Sequence, residues 1–348
     1  MGGMSDHIII DGSLGEGGGQ IVRSSLTLSL VTGRPFIIEN LRARRARPGL
    51  MRQHLTAVKA AAAVGRAHVE GAEIGSSRLV FEPNEVTPGE YDFQIGSAGS
   101  ATLVAQTVLP ALWSLHGPSV LHLEGGTHNP FAPPYDFLEK TYLPLVARMG
   151  PQFKCAFRQY GFYPAGGGEF TISLQPSPTL ERLDLLERGE LLRCGVRALV
   201  ANLPRHIAER ECATIARESG WDESCFQVEE VASAGPGNVV MIELEFANIT
   251  EVFAAVGEKG VKAEAVAARV WGEARAYLES GVPVDEHLAD QLLLPLGLSA
   301  WRDQGCGRYR TGPLSQHAHT HMEVLQMFLG VPVFLEQEGE AWLVQVGE

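Results

Sequence analysis

Cysteine is scarce and badly placed for pairing. The five thiols, Cys155, Cys194, Cys212, Cys225 and Cys306, are scattered through 348 residues without one Cys-x-x-Cys spacing. That pattern fits reduced thiols in a cytoplasm. Positive charge is in short supply as well, since 28 Lys and Arg stand against 41 Asp and Glu, a net charge of −13. A chain of this balance is a poor general coat for DNA, so any contact with nucleic acid has to be local. No apolar run approaches the ~20 residues a membrane helix needs, and Met1 to His7 lacks the apolar core of a signal peptide and reads as a tail.

Glycine, by contrast, is concentrated. The stretch from Ile8 to Arg23 reads as a strand, a turn and the start of a helix. Ile8, Ile9 and Ile10 are β-branched and suit a buried strand. Gly12, Gly15, Gly17, Gly18 and Gly19 then let the backbone approach a ligand closely. Free N–H groups at a helix start are a ready phosphate site. No Gly-Lys-Ser/Thr follows the loop and the Gly-x-Gly-x-x-Gly spacing fails, so this is neither common nucleotide fingerprint. Its charge sets it apart: Glu16 sits inside the loop and Arg23 about one turn into the helix. Bare carboxylate and phosphate repel, so a carboxylate here points to a shared metal ion; the plainer alternative is a solvated Glu on a structural turn.

The length suggests two domains. Helices are expected over Gln20–Val31 and Gly49–Val64, with strands at Pro35–Leu41, Ala67–Glu73 and Arg78–Phe81. The plan recurs from Gln94: a helix to about Leu115, a strand Ser119–Leu123, a helix Pro134–Met149, and strands Phe153–Phe157 and Glu169–Leu174. A third copy stands late, because Ala289-Asp-Gln-Leu-Leu-Leu-Pro295 echoes Ala105-Gln-Thr-Val-Leu-Pro110, each with a Gln four residues before a Pro. A strand near Tyr309, a helix Ser315–Leu329 and a hairpin Val331–Val346 complete it. The expected fold class is therefore α/β of the α+β type: a large domain of residues 1–183 and 282–348 with three two-helix, four-strand repeats at about 8–83, 92–176 and 284–347. Residues 184–281, with strands Gly195–Val200 and Val239–Phe246 and helices Ala208–Glu218 and Lys262–Glu279, form a smaller inserted α/β domain.

Three further stretches could carry chemistry. Arg42, Arg44, Arg45, Arg47 and Arg52 crowd a strand-to-helix connection with no acid among them. Arginine forks suit phosphate, and in so acidic a chain this is the clearest RNA or polyphosphate signal; a solvated loop is the alternative. His317, His319 and His321 form a His-x-His-x-His run. On a strand all three face one side and could ligate zinc; on a helix His317 and His321 share a face. Met322, Leu325, Met327, Phe328 and Leu329 favour the helix, with Ser315 as N-cap, and a histidine in a first helical turn is kept neutral and nucleophilic. The pattern leaves nucleophile, metal ligand and plain surface histidine open. Gly125 to Phe137 is rich in Pro and aromatics: Pro133 and Phe137 could sandwich a base, although a rigid loop packed on core explains them as well. Gly161 to Glu169 reads as a turn that could also line a cleft.

Several of these motifs occur together and in order. Gly15-Glu-Gly-Gly-Gly-Gln20 with Arg23, Arg42 through Gln53-His-Leu-Thr, Gly96-Ser-Ala-Gly-Ser100, Gly161-Phe-Tyr-Pro-Ala-Gly-Gly-Gly168 and His317-x-x-Thr320 resemble the RNA 3'-terminal phosphate cyclase family over essentially the whole chain. The resemblance implies three repeats of a fold like the C-terminal domain of bacterial translation initiation factor three, plus the insert. It implies ATP and Mg²⁺ or Mn²⁺ as cofactors, an RNA with a 3'-phosphate as partner, and a covalent histidine adenylate. It assigns the nucleophile to His317, the metal to Glu16, and phosphate contacts to Arg23 and Gln20. Gln106, Pro133, Phe137, His287 and Asp290 then surround the adenylate, and Arg42, Arg45 and Gln53 hold the RNA end. His287 departs from the family pattern, where Tyr is common. Competing expectations are a non-catalytic RNA-binding or ribosome-assembly relative and a zinc-dependent hydrolase on the His run. No membrane partner is expected, and a homo-oligomer is left open.

Overall fold

The computed structural model of the chain describes residues 7–15, 18–44, 47–96, 98–302 and 305–348. Glu16 and Arg45 lie outside the described residues. The structure is mixed α/β with four four-stranded sheets. The first sheet is built by β1 (Ile8–Asp11), α1 (Gly19–Thr32), β2 (Phe36–Glu39), α2 (Arg52–Gly65), β3 (His68–Glu70) and β4 (Leu79–Glu82), in the order β1-β2-β4-β3. The second uses β5 (Glu90–Gln94), α3 (Ala101–Leu112), β6 (Ser119–Gly125), α4 (Tyr135–Phe137), α5 (Leu143–Ala147), β7 (Gln152–Gln159) and β8 (Gly168–Gln175) in the order β5-β6-β8-β7.

Both sheets open with a parallel pair, β1 on β2 and β5 on β6, and continue antiparallel. A parallel neighbour requires a crossover, and α1 and α3 supply it. Between α4 and α5 a π turn covers Leu138–Tyr142. Pro144 has no N–H for the carbonyl four residues back, and Leu143 bonds instead to Leu138 O, five residues back. The helix expected from Gly49 starts only at Arg52, after Gly49 in the left-handed region, and the one expected to reach Leu115 stops at Leu112.

Strand β9 (Asp184–Leu185) comes next and is followed by the elements expected as the insert. These are β10 (Leu191–Ala201), α6 (His206–Ser219), β11 (Phe226–Glu230), β12 (Gly237–Phe246), β13 (Thr250–Val256) and α7 (Ala263–Ser280). Their sheet has a different order, β11-β10-β12-β13. After α7 come α8 (Glu286–Trp301), β14 (Gly307–Thr311), α9 (Gln316–Leu329), β15 (Val333–Glu338) and β16 (Ala341–Val346). Strand β9 pairs in parallel with β14, through Arg308 opposite Asp184 and Tyr309 opposite Leu185, to complete the order β15-β16-β14-β9. This sheet therefore takes its edge strand from before the long excursion. A cut at residue 184 parts that strand from its sheet, because two residues carry no periodicity to read.

The helices pack against one another over the sheets, α1 against α9, α3 and α2, and α8 against α9. Ile21, Leu26, Leu28, Ala105, Val108, Leu292, Leu293 and Leu325 belong to one continuous core. None of the described helices is long and apolar enough to cross a membrane. Glu211 of α6 is a buried acid in that core: Oε2 accepts from Asn238 Nδ2 at 2.9 Å, while Oε1 has no partner among the described residues. Burial pushes its carboxyl up to about 7, offset in part by Asn238. A raised acid contributes its stability below the ordinary Glu range and loses it as pH rises through about 7. Glu211→Gln keeps an acceptor for Asn238 and carries no charge. It is expected to raise stability by about 3 kcal/mol at pH 8 and to change little near pH 4.5, measured by denaturant unfolding at both.

Candidate active site

Five helices, α1, α2, α3, α8 and α9, carry most of the expected residues, and their contacts bring Gln20, Arg23 and Asp290 together around His321. Ser100 caps α3 by accepting from Leu103 N at 3.1 Å, and Ser315 caps α9 by accepting from Ala318 N at 3.0 Å. The chain before α1 is held against α9 at Gly15, whose φ is +55°. A Cβ there would lie 1.9 Å from Thr320 Oγ1, so the glycine loop runs in contact with the turn that carries His317. Gly19 opens α1 in a similar cradle, because its Cβ would meet His54 Nε2 at 2.5 Å and Arg23 Nη1 at 3.0 Å.

Arg23 and Gln20 are one turn apart on α1, and Arg23 Nη2 donates to Gln20 Oε1 at 2.6 Å. Gln20 Nε2 donates to Ser24 Oγ at 3.0 Å and lies 3.4 Å from His321 Nδ1 on α9. Burial lowers the Arg23 guanidinium to about 10, so it keeps its charge at neutral pH. His321 is fully buried, and its Nδ1–H donates to the backbone carbonyl of Asp290 at 2.9 Å. Its Nε2 is buried without a hydrogen-bond partner among the described residues. Burial, with a smaller push from Arg23, lowers His321 to about 4 against the bond to Asp290. The imidazole is neutral.

The His run is helical, so its three members part. His317 lies one turn before His321 on the same face and is half-buried, whereas His319 is exposed around the helix. A zinc triad of the strand type does not form, and no group of three metal-ligating side chains gathers anywhere among the described residues. Asp290 of α8 is buried, and Ser315 Oγ lies 2.7 and 2.8 Å from its two carboxylate oxygens. Burial raises its carboxyl to about 7, the bond from Ser315 opposing. Asp290 thus holds α9 twice, through Ser315 and through His321. His287 lies on the exposed first turn of α8, where its N–H meets the N-cap Asp285 at 3.0 Å.

The glutamines that stand four residues before Pro110 and Pro295 turn out to face each other. Gln106 of α3 donates to Gln291 of α8, which joins the helix after β5 to the helix before β14. Pro133 is partly exposed, and its carbonyl accepts from Thr102 at 2.8 Å. Phe137 is buried in the core. The exposed aromatic of that loop is Phe131, with φ at +61°.

His54 follows Gln53 in the arginine-rich motif and carries no role among the sequence expectations. It is buried on the apolar stripe of α2 with Ala57, Val58, Ala61 and Val64, a position where a histidine is itself the signal. Its Nδ1 accepts from Met51 N at 3.3 Å, and burial with the charges of Arg23 and Arg42 lowers it to about 3. Arg42, with φ at +55°, is therefore within electrostatic reach of Arg23's corner, and Gln53 Nε2 lies 3.5 Å from His54 Nε2. The site offers arginines, N–H groups and neutral imidazoles. Asp11, the carboxylate of the described loop, already accepts from Ser13 N at 3.0 Å and Asn40 at 3.3 Å.

Comparison with known proteins identifies the family. The family model for RNA 3'-terminal phosphate cyclase matches residues 14–334. A curated relative from Koribacter versatilis (strain Ellin345), named RNA 3'-terminal phosphate cyclase, is 50% identical over 332 residues, which cover 95% of this chain and 92% of the relative.

Proposed function

Because the chain belongs to the RNA 3'-terminal phosphate cyclase family, we propose that it uses ATP to close an RNA 3'-phosphate into a 2',3'-cyclic phosphate. The observation that carries this reading is the contact of the glycine loop with the first turns of α9, where Gly15 touches Thr320 beside His317. His317 attacks the α-phosphorus of ATP; the P–O bond to pyrophosphate breaks as the P–N bond forms. An oxygen of the RNA 3'-phosphate then attacks the same phosphorus and releases His317. The neighbouring 2'-hydroxyl finally attacks the RNA phosphorus, loses its proton and expels AMP.

Positioning and charge neutralisation carry such chemistry. Arg23 is fixed by Gln20 and keeps its charge, so it stabilises phosphate oxygens as charge builds. Asp290 positions His317 indirectly by pinning the start of α9, while Gln106 joins the two helices that flank the nucleotide. Arg42, Gln53 and, from outside the described residues, Arg45 hold the RNA end. Pro133 and His287 border the base, and Phe137 supports them from the core. The described donors fit a nucleotide better than a bare cation, so a Mg²⁺ or Mn²⁺ ion would be held by Glu16 together with the phosphates, and when bound it neutralises charge on the departing pyrophosphate.

Purified protein with ATP and a 3'-phosphorylated RNA tests the whole reading. The RNA terminus should become resistant to phosphatase, with AMP and pyrophosphate formed one for one. RNA binding without nucleotide turnover would instead mark a non-catalytic relative.

A further inference from the structure

From Asn40 to Val69 the sequence holds seven cations, Arg42, Arg44, Arg45, Arg47, Arg52, Lys59 and Arg66, and no carboxylate, inside a chain of net charge −13. Arg52 and Lys59 lie on α2 seven residues apart, which is two helical turns and about 10.5 Å, and Arg66 follows at its C-cap. All three are exposed, and no salt bridge engages them among the described residues. Beside them runs a cavity of about 390 Å³ between α2 and the end of β5, large enough for a nucleotide-sized group. Arg52, Thr56 and Lys59 line one side, Gln94 and Gly96 the other, and the exposed Ile74 offers an apolar surface. Asp92 is the one carboxylate of the lining.

We propose that this face of α2 and the cavity beside it form the track for the RNA strand upstream of its reactive 3' end. The inference rests on the cyclase reading, which puts the terminal phosphate at the arginine loop where α2 begins. A single strand leaving that point with its phosphates along α2 meets Arg52 at its start, Lys59 two turns on and Arg66 at its end, and a base can pack on Ile74. Phosphate contacts of this kind give affinity without sequence preference and fall with salt.

The test is binding of fluorescent 3'-phosphorylated RNA by anisotropy across a salt series, with Lys59→Ala/Arg66→Ala and the charge-keeping Lys59→Arg/Arg66→Lys. For an RNA of about ten nucleotides the alanine variant should bind about tenfold more weakly at low salt, its salt slope falling by roughly 1.4. The charge-keeping variant should match wild type, and a dinucleotide should bind all three alike. An unchanged slope, or the same loss for both lengths, overturns the track. Transfer of label from the α-phosphate of ATP to the protein is scored separately, so failure of the underlying chemistry and failure of the track are told apart.

Discussion

Replacing His317 with alanine is expected to leave a folded protein that takes no label from ATP bearing a labelled α-phosphate. Wild type should carry an acid-labile, alkali-stable bond, as a histidine phosphoramidate does. Cyclisation should fall by about 10⁴ or more, the scale on which enzymes lose rate with their covalent nucleophile. The fold should survive because alanine is a good helix former, and Ser315, the cap of α9, is untouched. The neighbouring histidines separate chemistry from packing. His319 is exposed, and His319→Ala should cost nothing measurable. His321 is buried and ties α9 to Asp290, so His321→Ala should lower stability by about 2 kcal/mol while leaving some labelling. Equal labelling of wild type and His317→Ala would place the adenylate elsewhere or end the reading.

Two of the helices that frame this site are legible in the sequence. The run of glycines gives way to α1 one residue before the expected start, and the apolar residues that follow the histidines make α9 a helix from Gln316. Periodicity over three or four turns is a strong signal, and both helices have it. The echo of Gln and Pro in two distant segments was legible too, although its meaning, a side-chain contact between α3 and α8, is a tertiary fact. What escaped was short or buried. Strand β9 has two residues, too few for a period to show, and β11 and β13 are absent from the expected insert. The neutral state of His54 and His321 comes from burial beside Arg23, which no spacing along the chain encodes. Phe137 reads as a stacking residue by pattern and lies in the core, while the exposed ring one turn of loop earlier is Phe131.

Gly15→Ala should damage the site although it adds only a single methyl group. The left-handed backbone costs an L side chain about 1–2 kcal/mol, and the new Cβ would fall 1.9 Å from Thr320 Oγ1, far inside contact. The loop has to move off α9. Since the loop and His317 are to grip the two ends of one triphosphate, a displacement of about 1 Å is expected to slow label transfer about 10²-fold, with a loss of global stability no larger than a few kcal/mol. Thr320 tests the cause. Its hydroxyl donates to Gln316 O at 3.0 Å, a bond worth about 1 kcal/mol, and its Cβ would remain 3.2 Å from the new methyl. Thr320→Ala removes the oxygen that the methyl strikes, so the double variant should regain about tenfold of the lost rate. If the two losses simply multiply, the contact is not what positions the loop; if the second substitution rescues the first, the glycine loop and the helix of His317 are one mechanical unit, coupled through the atom pair that a methyl cannot share.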